Sequence, residues 1–252
     1  MSSNSVIIVC DAHIGPAQQD ATTRAFHRFL EEVPKRSKHL IVNGDLFDFW
    51  FEYRSVVPRA AFPTLAALAE VVRAGVRVTI TGGNHDRWGG PFWTEQLGAE
   101  YHAKSVELDL AGWRALVSHG DGECEPEFLA RLLHRTVGHP LTSLAFRALH
   151  PDIGFWLVKR MGKVLNRPRD DGIGLRAASE AQSAHAIELL QKRPDLDLVV
   201  FGHTHRARLE PAGGGEGESE GDKRWYLNPG AWMDRQEYAV VTEDGPELCR
   251  WG

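Results

Sequence analysis

The sequence predicts an α/β fold: two packed mixed β-sheets flanked by helices, with a helical lid inserted between two strands. Three observations carry this reading. Short β-branched runs alternate with helix-periodic stretches early in the chain. Alternating strand patterns dominate the second half. A long helical stretch, from about residue 125 to about residue 175, interrupts the strands. The 252 residues fit one domain, residues 1–252, carrying that insertion.

The elements follow in order. Residues 6–10 form a β-branched run suited to a buried parallel strand. Residues 21–33 repeat apolar side chains at helical spacing (Phe26, Phe29, Leu30, Val33), and Pro34 is expected to end that helix. Residues 40–42 give a second strand, residues 65–74 a helix closed by Gly75, and residues 76–80 a third strand. This is the βαβ pattern of a parallel sheet with right-handed crossovers. Residues 106–110 and 113–117 read as a hairpin turning at Ala111-Gly112. Strands are further expected at 198–201, 224–227, 238–242 and 247–251. Residues 213–221, rich in Gly, Glu and Ser, read as a flexible hairpin tip.

Composition narrows the function. Hydrophobic residues make up 42% and charged residues 25%, the balance of a soluble globular chain. A net charge of −5 gives no basic field for nucleic acid, so no nucleic-acid partner is expected. No apolar run approaches bilayer length. The N-terminus runs straight into the first strand without a basic leader, and Cys10, Cys124 and Cys249 are too few and scattered for a disulfide framework. A cytoplasmic setting is the expectation.

Five islands stand out: Asp11-Ala12-His13, Gly44-Asp45, Gly83-Asn84-His85-Asp86, Ser118-His119-Gly120-Asp121 and Gly202-His203-Thr204-His205. Each follows a strand pattern, so each brings carboxylate, imidazole or amide groups to a strand's carboxyl end, where open α/β sheets bind ligands. Oxygen donors mixed with imidazoles suit manganese, iron or zinc better than calcium. Two such cations acidify water and hold phosphoryl oxygens, so the islands point to water-mediated attack on a phosphate ester.

At these residues the chain resembles the calcineurin-like metallophosphoesterases, whose pattern is Asp-x-His, Gly-Asp, Gly-Asn-His-Asp or -Glu, a single His, and Gly-His-x-His. The resemblance runs in order from residue 11 to residue 205. It implies two divalent metal ions, with Asp11, His13 and His205 on one, Asn84, His119 and His203 on the other, and Asp45 bridging. His85 is implied as leaving-group acid or transition-state stabiliser, Asn84 as a further stabiliser, and Asp48 as the group that orients or charge-stabilises His85.

The aromatic extension of the second island (Leu46-Phe47-Asp48-Phe49-Trp50), the run Asn228-Pro229-Gly230-Ala231-Trp232 and the position of the insertion are similar to the UDP-diacylglucosamine pyrophosphatase branch of that family. The similarity implies a manganese enzyme with a nucleotide-linked glycolipid substrate, peripheral on the cytoplasmic face of an inner membrane. The insertion is basic (Arg131, Arg147, Arg160, Arg167) and rich in Phe, Trp and Leu, which suits a diphosphate carrying lipid tails. Arg87, Glu127, Asn166 and Arg167 are candidate substrate contacts. An insertion that merely packs its own core is the alternative. His85 stands where the best-known members of the branch carry Arg, so a phosphodiesterase acting on another nucleotide also fits. A non-catalytic scaffold fits poorly, because every ligand position is filled.

Overall fold

The computed structural model describes residues 4–15, 21–122, 140–165, 173–213 and 224–252. In chain order the elements are β1 (Val6–Val9), α1 (Ala21–Arg36), β2 (His39–Asn43), α2 (Phe62–Arg73), β3 (Arg77–Thr81), β4 (Glu100–His102), β5 (Val106–Leu110) and β6 (Trp113–Val117). They continue with α3 (Pro140–Arg147), α4 (Pro151–Leu165), α5 (Ile173–Lys192), β7 (Leu198–Val200), β8 (Arg208–Pro211), β9 (Trp225–Asn228), α6 (Trp232–Arg235), β10 (Glu237–Thr242) and β11 (Gly245–Arg250).

Two mixed sheets stack face to face. The first runs β11-β10-β1-β2-β3-β4 and the second β5-β6-β7-β9-β8. The alternation of side chains along β1 shows why they stack. Ile7 and Val9 join Phe26, Phe29, Leu30 and Val33 of α1 and Leu65, Leu68 and Val71 of α2 in one core. Val6 and Ile8 point the other way, against Val117, Leu198, Val200 and Leu227 of the second sheet. On that sheet's far face Val199 and Tyr226 pack under Ala186 and Leu190 of α5. The layers are therefore helix, sheet, sheet, helix.

Parallel pairing lines up the islands. β1 pairs with β2 so that Val9 lies beside Val42, and β2 pairs with β3 so that Val42 lies beside Ile80. In the second sheet β6 and β7 run parallel with Val117 beside Val200. The chain leaves all five strands at the same edge, so the islands converge.

Several sequence expectations change. α1 passes through Pro34 to Arg36. Proline removes one hydrogen bond there, but buried Val33 anchors the turn and Ser37 N–H donates to the Val33 carbonyl at 2.9 Å. The short polar strands β4 and β8 and the single-turn α6 were not foreseen. The hairpin turn is as expected: Ala111 (φ 57°) and Gly112 (φ 93°) are both left-handed, and Leu110 pairs with Trp113. Most of the Gly-rich tip lies outside the described residues. Of the helices between β6 and β7, α5 has already rejoined the core by Ala186.

Candidate metal centre

The site is built on an unusual backbone. Asp11, His13, Asp45, His203 and His205 all adopt positive φ, between 46° and 66°. Each such residue costs about 1–2 kcal/mol against the right-handed alternative, a strain that clusters at functional sites. Interlocking loops hold it. His13 N–H donates to the Asp45 carbonyl at 2.9 Å, and Gly202 N–H donates to the His119 carbonyl at 3.0 Å. Buried Asp86 accepts from the backbone N–H groups of Gly83 (2.8 Å), Leu46 (2.7 Å) and Asp45 (3.2 Å), tying the second island to the third. Burial, and then the Asp45 charge, push the Asp86 carboxyl up to about 6.

The side chains form three overlapping groups whose ligand atoms lie within 4.8 Å of one another: Asp11, His13 and His205; His13, Asp45 and His85; Asp45, His119 and His203. Asp45 belongs to two of them. Its Oδ1 accepts the His85 N–H at 2.9 Å, while Oδ2 lies 3.6 Å from His13 Nε2 and 3.3 Å from His119 Nε2. Asp11 Oδ2 accepts the His203 N–H at 3.1 Å, and its Oδ1 lies 3.2 Å from His205 Nε2.

Outer contacts orient the rings. His119 Nδ1 donates to the Asn43 carbonyl at 2.9 Å, which turns Nε2 toward the carboxylates. His205 Nδ1 lies 3.0 Å from Asp234 Oδ2. Electrostatics follow. Burial alone would raise the Asp11 carboxyl, yet His119, His13 and His205 hold it well below the usual carboxylate range. Burial would lower His205, but Asp11 and Asp234 raise it to about 10. His119 is driven well above its ordinary value by Asp45 and Asp11 against the same burial. The carboxylates thus favour positive charge in the pocket.

The residues fit divalent cations. Asp11 Oδ1, His13 Nε2, His119 Nε2 and Asn84 Oδ1 are all buried with no hydrogen-bond partner among the described residues. Orphaned polar atoms are costly, and four from three loops, three of them in the clustered donor set, have a common explanation in bound metal. A sequence profile for the calcineurin-like phosphoesterases matches residues 5–207.

The chain belongs to the calcineurin-like phosphoesterase family.

It is accordingly a metal-dependent phosphoester hydrolase. A protein of Porphyromonas gingivalis named UDP-2,3-diacylglucosamine hydrolase is 28% identical to this phosphoesterase, over 80% of this chain and 83% of the relative. One of the same name from Klebsiella pneumoniae is 27% identical over 98% of this chain and 99% of its own. A third, from Bordetella pertussis, is 30% identical over 79% and 76%. A solved dimetal phosphatase from Danio rerio aligns over 98% of this chain and 99% of its own, with a TM-score of 0.47 and 9% identity.

The remaining site residues of this phosphoesterase fall as follows. Asp48 touches His85 through its backbone, not its carboxylate: His85 Nδ1 lies 2.6 Å from the Asp48 carbonyl. The carboxylate instead lies 3.8 Å from His13 Nδ1, because Asp48 N–H donates to the Ile14 carbonyl and turns the side chain toward the first island. Arg87 is ion-paired with Asp121, joining the third island to the fourth. Glu127, Asn166 and Arg167 lie outside the described residues.

Sequence reading assigned no role to Asp234, Asp86 or Gln182. Gln182 of α5 is buried, accepts from Tyr226 Oη (2.8 Å), Asn228 Nδ2 (3.1 Å) and Thr204 Oγ1 (3.2 Å), and donates to the Gly202 carbonyl (3.2 Å). It fixes the loop that carries His203 and His205. The run Asn228–Trp232 was visible in the sequence but had no assigned partner there.

Proposed function

We propose that this phosphoesterase hydrolyses the diphosphate of UDP-2,3-diacylglucosamine, with water, to 2,3-diacylglucosamine 1-phosphate (lipid X) and UMP. The likeness to relatives named for that substrate carries the reading, because it extends beyond the metal islands and across the insertion to 98% of the chain. The lid helices add support. Leu144 of α3 and Ile153 and Trp156 of α4 are exposed, with the Arg160 guanidinium over the Trp156 ring and that of Arg147 over Phe51. An apolar face edged with guanidinium groups suits acyl chains next to phosphate. Phe146 of α3 packs on Phe49, Phe51 and Trp88, so the lid rests on the aromatic extension of the second island.

In this reading Asp11, His13 and His205 hold one ion, Asn84, His119 and His203 the other, and Asp45 both. Manganese is the ion proposed, with iron and zinc compatible with the same donors. Bound there, the ions supply Lewis acidity to the phosphoryl oxygens and acidify water. The protein's own groups do the rest. The Asp48 carbonyl can only accept, so the His85 Nδ1 proton is pinned toward it. A second proton on His85 Nε2 is then free to pass to the departing oxygen. Asn84 places its amide beside the equatorial oxygens, and Arg87, held by Asp121, lies two residues from His85 to meet a further phosphate oxygen. Residues 1–252 act as one domain with a cap at about 125–175, peripheral on the cytoplasmic face of the inner membrane. No helix among the described residues is long and apolar enough to cross a membrane.

Product analysis tests this. Manganese-loaded protein is offered UDP-2,3-diacylglucosamine beside a nitrophenyl phosphodiester, and products are identified by mass spectrometry. Release of UMP and lipid X far faster than nitrophenol supports the proposal. Turnover of the generic ester alone sinks it. The retained imidazole of His85 favours a second reading, a phosphodiesterase for another nucleotide substrate, and a clear preference for such an ester would establish it.

A further inference from the structure

We propose that Asp234 is a positioning residue that holds His205 in the tautomer and orientation needed to present Nε2 to a metal ion. The inference rests on the reading above that His205 is a ligand.

The geometry comes from both sides of the ring. Asp234 Oδ2 lies 3.0 Å from His205 Nδ1, and the opposite nitrogen, Nε2, faces Asp11 Oδ1 at 3.2 Å. An ionised carboxylate only accepts hydrogen bonds, so when a metal ion displaces the proton on Nε2 the remaining proton stays on Nδ1 and the Nε2 lone pair faces the ion. Among the described residues, the ring's other contacts are Asp11 Oδ1 at Nε2 and a tilted approach to His13 at 5.4 Å between centroids, and neither fixes a proton on Nδ1.

Asp234 is itself held in place. The segment that carries it clasps the first and fifth islands together. Trp232 N–H donates to the Cys10 carbonyl and Met233 N–H to the Asp11 carbonyl, each at 3.1 Å. Trp232 is buried against Phe26 and Phe29. Upstream, Asn228 Nδ2 donates to the Gly202 carbonyl at 3.0 Å and Cys10 Sγ donates to the Gly230 carbonyl at 2.9 Å. The backbone that fixes Asp11 thus also fixes the carboxylate facing His205. Residue 234 lies after the stretch 5–207 that the family profile matches.

The test measures manganese binding alone, by isothermal titration to the metal-free protein, in wild type, Asp234→Ala, Asp234→Asn, His205→Ala and the double variant Asp234→Ala/His205→Ala. Asp234→Ala is expected to weaken one of the two ions by about 10–100-fold and leave the other within about twofold. Asp234→Asn, which keeps an acceptor oxygen, is expected to recover part of that loss. In the His205→Ala background, adding Asp234→Ala is expected to change binding less than about twofold. Wild-type affinity for both ions in Asp234→Ala overturns the proposal. So does an equal loss in the His205→Ala background, which would show that the residue merely holds the loop. Failure of His205→Ala itself to weaken either ion would instead overturn the ligand reading.

Discussion

Replacing Gly44 with Ala tests how tightly the second island is packed under the metal site. Gly44 sits at φ +79°, and a methyl there would lie 2.6 Å from His119 Cγ and 2.9 Å from His119 Cβ. Gly75 is the control, with φ +83° and nothing within 4 Å of an added methyl. Both substitutions meet the left-handed penalty of about 1–2 kcal/mol, offset by about 0.4–1 kcal/mol from the stiffer unfolded chain. Only Gly44→Ala must also displace a buried ring, an overpacking cost of about 1–3 kcal/mol. It also breaks the 2.9 Å bond from His119 to the Asn43 carbonyl, worth about 1 kcal/mol. The difference between the two variants is therefore about 2–4 kcal/mol. At about 2–4 °C per kcal/mol for a chain of this size, Gly44→Ala should melt roughly 4–16 °C below Gly75→Ala. Calorimetry of the metal-free proteins measures this, and metal titration should show weakened binding in Gly44→Ala alone. Equal melting temperatures would refute the steric reasoning.

Other consequences follow from the same contacts. Burial, and then Arg77, lower His39 to about 4. Between about 6.5 and about 4 the unfolded chain binds the extra proton, so stability falls as pH falls through that window. The gap of about 2.5 units at 1.36 kcal/mol each gives a loss of about 3 kcal/mol. Denaturant titrations at both ends of the window should show a shallower decline in His39→Gln, and an unchanged slope would exclude His39 as a source. Gln182→Leu leaves the Tyr226, Thr204 and Asn228 donors short of an acceptor, and should cost about 2–4 kcal/mol in chemical denaturation while weakening metal binding. Phe146→Ala removes the lid's contact with Phe49, Phe51 and Trp88. It should lower hydrolysis of UDP-2,3-diacylglucosamine by about tenfold or more and leave the nitrophenyl phosphodiester rate nearly unchanged, as steady-state kinetics would show.

The islands were legible in the sequence because each is contiguous and follows a β-branched strand, and parallel pairing of β1, β2, β3, β6 and β7 does the rest. The supporting shell was not legible. Asp234 acts 29 residues away from His205, and Gln182 is one polar position on a helix whose other side faces solvent. Neither carries a local pattern. The hydrogen bond of His85 ends on the Asp48 carbonyl, a group every residue possesses, so no side-chain pattern announces it. The edge strands β4 and β8 have polar side chains and half-buried positions, so no two-residue alternation marks them. Propensity alone makes Pro34 a stop, because it cannot see that Val33 is buried in the core.

Counting metal ions tests the central claim, that five separate loops build one dinuclear centre around Asp45, most directly. Equilibrium dialysis against manganese, read by elemental analysis, should find two ions per wild-type chain, one in His13→Ala and one in His203→Ala. Asp45→Ala should lose tight binding of both. Two tightly held ions in Asp45→Ala, with the fold intact by circular dichroism, would contradict a shared bridging carboxylate.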